Sequence, residues 1–417
     1  MAMLASCGIP ERHTHADPDA NVGALDGRGD AGVAPLRLVF HNDVTLGEAW
    51  VGTFTADNQP LAWRRATNGA NELEVDQRAA YLLAAYRGFS TDANDEVTRV
   101  YVVHELAPGD TLVVGERDVL PTRSVSITLP PLAGASSYVV SSGCGSGVVV
   151  GGQGTLHVTC VASAAVGVVA QTDVGATPYY LYNPAVTLGN AAALTGTWQP
   201  TPVYSASLTN LPVTPAAAAA TFHRDFLHRD FSIANTGDRG TGTLAVPALA
   251  ADGGHSVLSE FAMGPNARMS IREIDPLDGD YQLDVAPRLL PRIDSASWAN
   301  RAVRWSATPR AVTPDAVLAE ITWSTAQDVV LKYLAPFEAS QASLVVPPLP
   351  ADIADWVPSS QPSSLFVALT SVAAVIVERQ NVNANYQQIK AYALDEAGYW
   401  ALPHGTSTFG PISLGAR

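Results

Sequence analysis

The feature that most restricts this chain is a period of two. Apolar and polar residues alternate over Glu48 to Thr55, Val100 to Val103, Thr155 to Val158, Ser270 to Ile274 and Leu365 to Leu369. These runs are rich in Val, Ile, Thr, Tyr and Phe, and Gly, Asp, Asn and Pro separate them, as expected of short half-buried strands. With 33 Gly and 29 Pro in 417 residues, punctuation is frequent enough to keep every run short. Regularly spaced short strands of this kind predict an all-β chain of packed sandwiches. Two segments argue the other way, because Asp76 to Arg87 and Ala216 to Ala220 have helix propensity. The first is read as a strand, since it ends at Gly88 between strand-like neighbours. Asp57-Asn58-Gln59-Pro60 and Asp278-Gly279-Asp280 are read as turns, the second as an Asp-Gly hairpin.

Self-comparison divides the chain further. Leu129-Pro130-Pro131-Leu132 recurs as Val246-Pro247-Ala248-Leu249 and as Val346-Pro347-Pro348-Leu349, each time after a short strand-like run. Proline cannot donate to a ladder, so it marks strand ends. Trp198 and Trp298 stand 100 residues apart, as do Asp252 and Asp352, and each Trp is read as the core anchor of its unit. These matches predict a tether over 1–35 and four β-rich modules over 36–120, 121–197, 198–297 and 298–417, close to the usual domain size of ~100 residues.

Three cysteines bear on compartment. Cys144 and Cys160 flank Gly151-Gly152-Gln153-Gly154, which reads as the turn of a hairpin. On such a hairpin the two would lie nearly opposite each other, and a disulfide closing that loop would contribute about 3 kcal/mol. Cys7 follows Leu4-Ala5-Ser6, and Leu-Ala-Ser-Cys is similar to a bacterial lipobox. A polar stretch from Glu11 to Asp30 follows it, as a flexible tether would. Met1-Ala2-Met3 supplies neither the basic nor the apolar region of a signal peptide, so either the start codon lies further upstream or Cys7 is an incidental cysteine; the lipoprotein reading takes the first. No run reaches the ~20 apolar residues of a membrane helix, the best being Phe366 to Val377.

Together, the lipobox-like Leu4 to Cys7, the polar tether and the repeated Trp and Pro-x-Leu strands resemble exported lipoproteins of GC-rich, myxobacteria-like species with tandem immunoglobulin-like modules. The resemblance implies immunoglobulin- or fibronectin-III-like sandwiches, membrane attachment through Cys7, and location at the outer membrane or cell surface, otherwise periplasmic or secreted. It supplies no catalytic residues.

Two groups of charged residues carry candidate chemistry. His223-Arg224-Asp225-Phe226-Leu227-His228-Arg229-Asp230 repeats a His-Arg-Asp unit, and on a strand each His-x-Asp pair would share one face, as half of a divalent-metal site. Asp275, Asp278, Asp280 and Asp284 cluster around Gly279, off the spacing of a calcium loop. The expectation for both is structural: a strand with solvated charges, and a tight turn. Gly143-Cys144-Gly145-Ser146-Gly147 has the wrong spacing for a nucleophile elbow. There is no zincin His-Glu-x-x-His, phosphate loop or dinucleotide fingerprint. His104-Glu105, His157, His255 and His404 have no partner at useful sequence spacing. The net charge of −15 excludes a nucleic-acid partner. Only Lys332 and Lys390 are lysines among 24 basic residues, a skew read as codon bias.

The sequence therefore predicts a non-enzymatic envelope or surface protein with a structural role or a protein or polysaccharide ligand, and no cofactor. The alternative is an exported hydrolase or metal-dependent enzyme with its site between modules.

Overall fold

The structure is a computed structural model. It describes residues 35–40, 44–90, 96–107, 109–114, 123–142, 145–159, 163–172, 179–212, 217–224, 227–232, 234–236, 239–245, 255–262, 268–275, 279–324, 328–338, 342–371, 386, 389–390 and 405–412. The described residues are almost all strand, and the all-β expectation holds.

Twelve strands form one sheet in the order Leu227–Ser232, Ala217–Arg224, His255–Ala262, Arg268–Asp275, Gly405–Ile412, Ser364–Ser371, Ala316–Ser324, Asp328–Pro336, Glu96–His104, Tyr81–Ser90, Val44–Phe54 and Pro60–Arg65. Its seam is the parallel pairing of Glu96–His104 with Asp328–Pro336, which runs from Val97 opposite Asp328 to Val103 opposite Leu334. A second junction pairs Arg268–Asp275 with Gly405–Ile412. Strands from the first, third and last parts of the chain thus share one hydrogen-bonded ladder.

Around the seam both faces are covered. On one face lie Arg292–Ala299, Ala302–Thr308 and Ser343–Val345; on the other lie Gly69–Leu73, Leu36–Phe40 and Thr111–Val114. Leu83, Ala85, Val100, Val102 and Leu331 enter the first core with Trp298, Trp305 and Trp356. Leu82, Ala84, Tyr101, Val103 and Leu334 enter the second with Leu36, Leu38 and Phe40. This explains Tyr81-Leu82-Leu83-Ala84-Ala85-Tyr86, whose unbroken apolar run suits a strand buried on two sides. At about 1.5–3 kcal/mol per fully buried large apolar side chain, packing outweighs its helix propensity. Ala217–Arg224 is a strand as well.

Residues 123–200 build a separate eight-stranded sheet curled around one core that includes Val125, Val140, Leu156 and Val168. Val150 pairs with Gln153 across Gly151 and Gly152, both at positive φ (67° and 81°). The expected hairpin turn is therefore present, in the form that demands glycine. Among the described residues a four-stranded sheet of Ala234–Thr236, Arg239–Ala245, Val203–Thr209 and Tyr281–Asp284 is the last sheet.

A structural repeat does exist. Leu36–Phe40 pairs antiparallel with Gly69–Leu73 and parallel with Thr111–Val114. Arg123–Thr128 does the same with Gln153–Val158 and Ala191–Ala193. Val203–Thr209 does so with Arg239–Ala245 and Tyr281–Asp284. In these three units the opening strands start at Leu36, Arg123 and Val203, 87 and 80 residues apart. Trp298 lies inside the strand Arg292–Ala299, which straddles the 297/298 division, whereas Trp198 precedes the strand Val203–Thr209. The Pro-containing matches likewise follow strands with different pairings, because proline marks any strand end. Asp278-Gly279-Asp280 is not a hairpin turn: the strands on either side, Arg268–Asp275 and Tyr281–Asp284, belong to different sheets.

Candidate functional site

Among the described residues, two places gather side chains of chemical interest. The first is the C-terminal end of the seam strand Glu96–His104. His104 lies between Tyr81 and Tyr333, with ring centroids 5.6 and 5.3 Å away, and its Nε2 is 2.7 Å from the Tyr333 hydroxyl. Desolvation holds its pKa down at about 4, so the ring is neutral at pH 7, and burial pushes the Tyr333 hydroxyl up to about 12. The stack continues through Phe54 to Trp63 and Trp50, whose indoles lie 5.2 Å apart and nearly parallel.

On the opposite side of this strand end, Tyr386 is fully buried and donates its hydroxyl to the carbonyls of His104 (3.0 Å) and Leu334 (3.3 Å). One hydroxyl thus bridges the two strands of the seam. Four residues on, Lys390 Nζ donates to Asp110 Oδ2 (2.6 Å) and to the Glu105 carbonyl (2.7 Å). Burial lowers the Lys390 pKa, and Asp110 and Glu105 partly offset this. His104 and Glu105, without partners at local spacing, find them 229 to 285 residues away. Residue type gives no hint of such distant pairing. The one available signal was that the chain keeps only two lysines, and both prove to be buried.

The second place is a groove of about 520 Å³ on the eight-stranded sheet, lined by Pro130, Pro131, Leu132, Tyr179, Thr197 and Trp198 among others. Trp198 stacks on buried Tyr138 at 5.4 Å and donates its indole N–H to the Pro130 carbonyl at 3.1 Å. Its ring is therefore fixed, with one face supported and its polar edge satisfied. Gly196, at φ 126°, shapes the wall in a conformation that suits only glycine. Among the described residues, no charged side chain lines the groove. Trp198 was expected as a core anchor, a role that Trp298 fills but half-buried Trp198 fills only in part.

The sequence-predicted metal ligands fall on several elements of the fold. His223 and His228 are register partners across the edge hairpin, and Asp230 pairs with Thr221. Asp225 lies outside the described residues, as does Asp278. Asp275 pairs with His255 in the twelve-stranded sheet. Asp280 accepts the Ser205 N–H at 2.8 Å, and Asp284 accepts from the Asn210 side chain at 2.9 Å. Those two carboxylates fasten the strand Val203–Thr209 and the residue that follows it, and among the described residues no three His, Cys, Asp or Glu are grouped to hold a metal. Cys7, Cys144 and Cys160 also lie outside the described residues, and with them the lipid anchor and the disulfide. No described helix is long and apolar enough to cross a membrane.

No protein-family model and no curated protein matches the chain. Among solved structures, an adhesin candidate from Bacteroides ovatus is similar at 11% identity, with a TM-score of 0.18 over 41% of this chain and 96% of that one. The alpha-2-macroglobulin of E. coli in its native conformation is similar at 11% identity, with a TM-score of 0.11 over 77% of this chain and 26% of its own. Likenesses this distant carry no argument about function, and the site geometry has to supply it.

Proposed function

We propose that the chain is a non-catalytic surface protein that binds an uncharged glycan in the groove of its eight-stranded sheet. The observation that carries this reading is Trp198, an immobilised indole lining an open groove with Tyr179 and Thr197. An aromatic face held in place loses little entropy on stacking against a sugar ring. The described lining residues are uncharged, which favours a neutral ligand over phosphate, sulfate or a charged peptide. Display at the envelope rests on the lipobox-like Cys7; palmitate label should enter the full-length product and be lost in Cys7→Ser, and labelling that persists would contradict it.

The test is retention on an array of neutral microbial glycans. Wild type should bind a subset, and Trp198→Ala should weaken binding at least tenfold with the circular dichroism spectrum unchanged. Equal binding by Trp198→Ala, or none by wild type, would overturn the assignment. Release of new reducing ends from a bound glycan would favour the hydrolase instead.

A further inference from the structure

Of the 24 basic residues, 22 are Arg, and the two lysines are both buried. An amine therefore stands only where a guanidinium would be hardest to accommodate, and where an amine can do something a guanidinium cannot. Lys332 faces Glu320 across the strand at 3.6 Å, and Glu320 reaches solvent, which describes an ordinary ion pair. Lys390 differs: its side chain is 2% exposed and its Nζ is in contact with the Asp110 carboxyl. Asp110 Oδ2 also accepts the Ala107 N–H at 2.9 Å, which fixes the carboxyl. A carboxylate oxygen of Glu105 is buried beside them, and its charge acts on both Lys390 and Tyr386.

We propose that Lys390 and Asp110 join through an amide bond between Nζ and Cγ, with Glu105 as the proton carrier. Burial favours the neutral amine, which is the nucleophilic form. The Lys390 ammonium gives one proton to the Asp110 carboxylate, leaving an amine facing a carboxylic acid. Nζ attacks Cγ, the C–N bond forms, and Glu105 takes the second proton from nitrogen and returns it to the departing hydroxyl. The C–O bond breaks and one water leaves. Ammonium plus carboxylate becomes amide plus water, so no oxidant or co-reactant is needed. The two ends are already placed by the Tyr386 hydrogen bonds, which replaces a bimolecular encounter by a held geometry. The product also exchanges two buried charges for one neutral group, removing their desolvation penalty. Asp110 follows the first seam strand and Lys390 comes 280 residues later, so the bond would staple the first part of the chain to the last.

Intact mass of the full chain, purified folded and then reduced and denatured, decides the matter. Wild type should be lighter than its sequence mass by one water. Trypsin should leave Lys390 uncut, with peptide 100–117 covalently joined to peptide 380–417, while Lys332 is cleaved normally. Lys390→Arg and Asp110→Ala should each restore the full mass. Glu105→Gln should leave the pair unlinked in a protein whose circular dichroism is unchanged. A wild-type protein of full sequence mass that trypsin cuts after Lys390 would overturn the proposal, as would a water loss without the linked peptides. The wild-type result stands whether or not the variants fold.

Discussion

At the scale of single residues, His104 shows how burial sets a chemical property. Its neighbours Tyr81 and Tyr333 carry no charge at neutral pH, and desolvation alone accounts for its depressed pKa of about 4 against an ordinary 6.5. The folded state therefore refuses a proton that the unfolded state accepts. Its contribution is complete above pH 6.5 and is lost as pH falls from 6.5 toward 4. At 1.36 kcal/mol per pH unit this amounts to at most about 3 kcal/mol, less what solvent screens at the exposed edge of the ring. Urea unfolding at pH 7 and pH 5 should show a loss of stability in wild type that His104→Gln largely lacks. Parallel pH dependence in the two proteins would refute this role. Such residue-level environments were only partly legible in the sequence. Trp298 was recognisable as a core anchor because a large apolar residue on an alternating strand has few other uses. His104, Glu105 and Lys390 were not, because their partners lie more than 200 residues away and no local period encodes such a meeting.

At the scale of elements, turns and strands were the most legible. The glycines after Val150 and the Asp57–Pro60 segment act locally, through backbone conformation, and both are turns as expected. Tyr81–Ser90 was ambiguous because burial on two faces erases the alternation that identifies a strand. Gly52 shows what a strand interior can require. A Cβ there would lie 2.1 Å from the Ala62 carbonyl oxygen and 2.8 Å from the Trp63 ring, so the edge strand Pro60–Arg65 sits close only because the side chain is missing. Gly52→Ala should push that strand outward and cost about 1–3 kcal/mol by overpacking. The exciton signal of the stacked Trp50 and Trp63 indoles in circular dichroism should fall with it. An unchanged signal and unchanged stability would show that the edge yields without strain.

At the scale of the whole molecule, the repeat in the sequence suggested consecutive sandwiches, but the hydrogen bonding binds non-consecutive parts together. Sequence self-comparison finds motifs that mark strand ends, and these recur wherever a strand ends; it carries no information about which edge meets which. The parallel seam is built from Val, Leu and Tyr side chains that would read the same inside an isolated sandwich. Its consequence is mechanical: Glu96–His104 has a core on each face and Asp328–Pro336 along its edge, so it cannot open without opening the last part of the chain. Hydrogen exchange of the full chain tests this fused sheet most directly. Amides of 97–103 and 329–334 should be among the slowest to exchange, and should lose protection together at one denaturant concentration. If 97–103 exchanges freely while 329–334 stays protected, the two parts fold separately and the shared sheet is wrong.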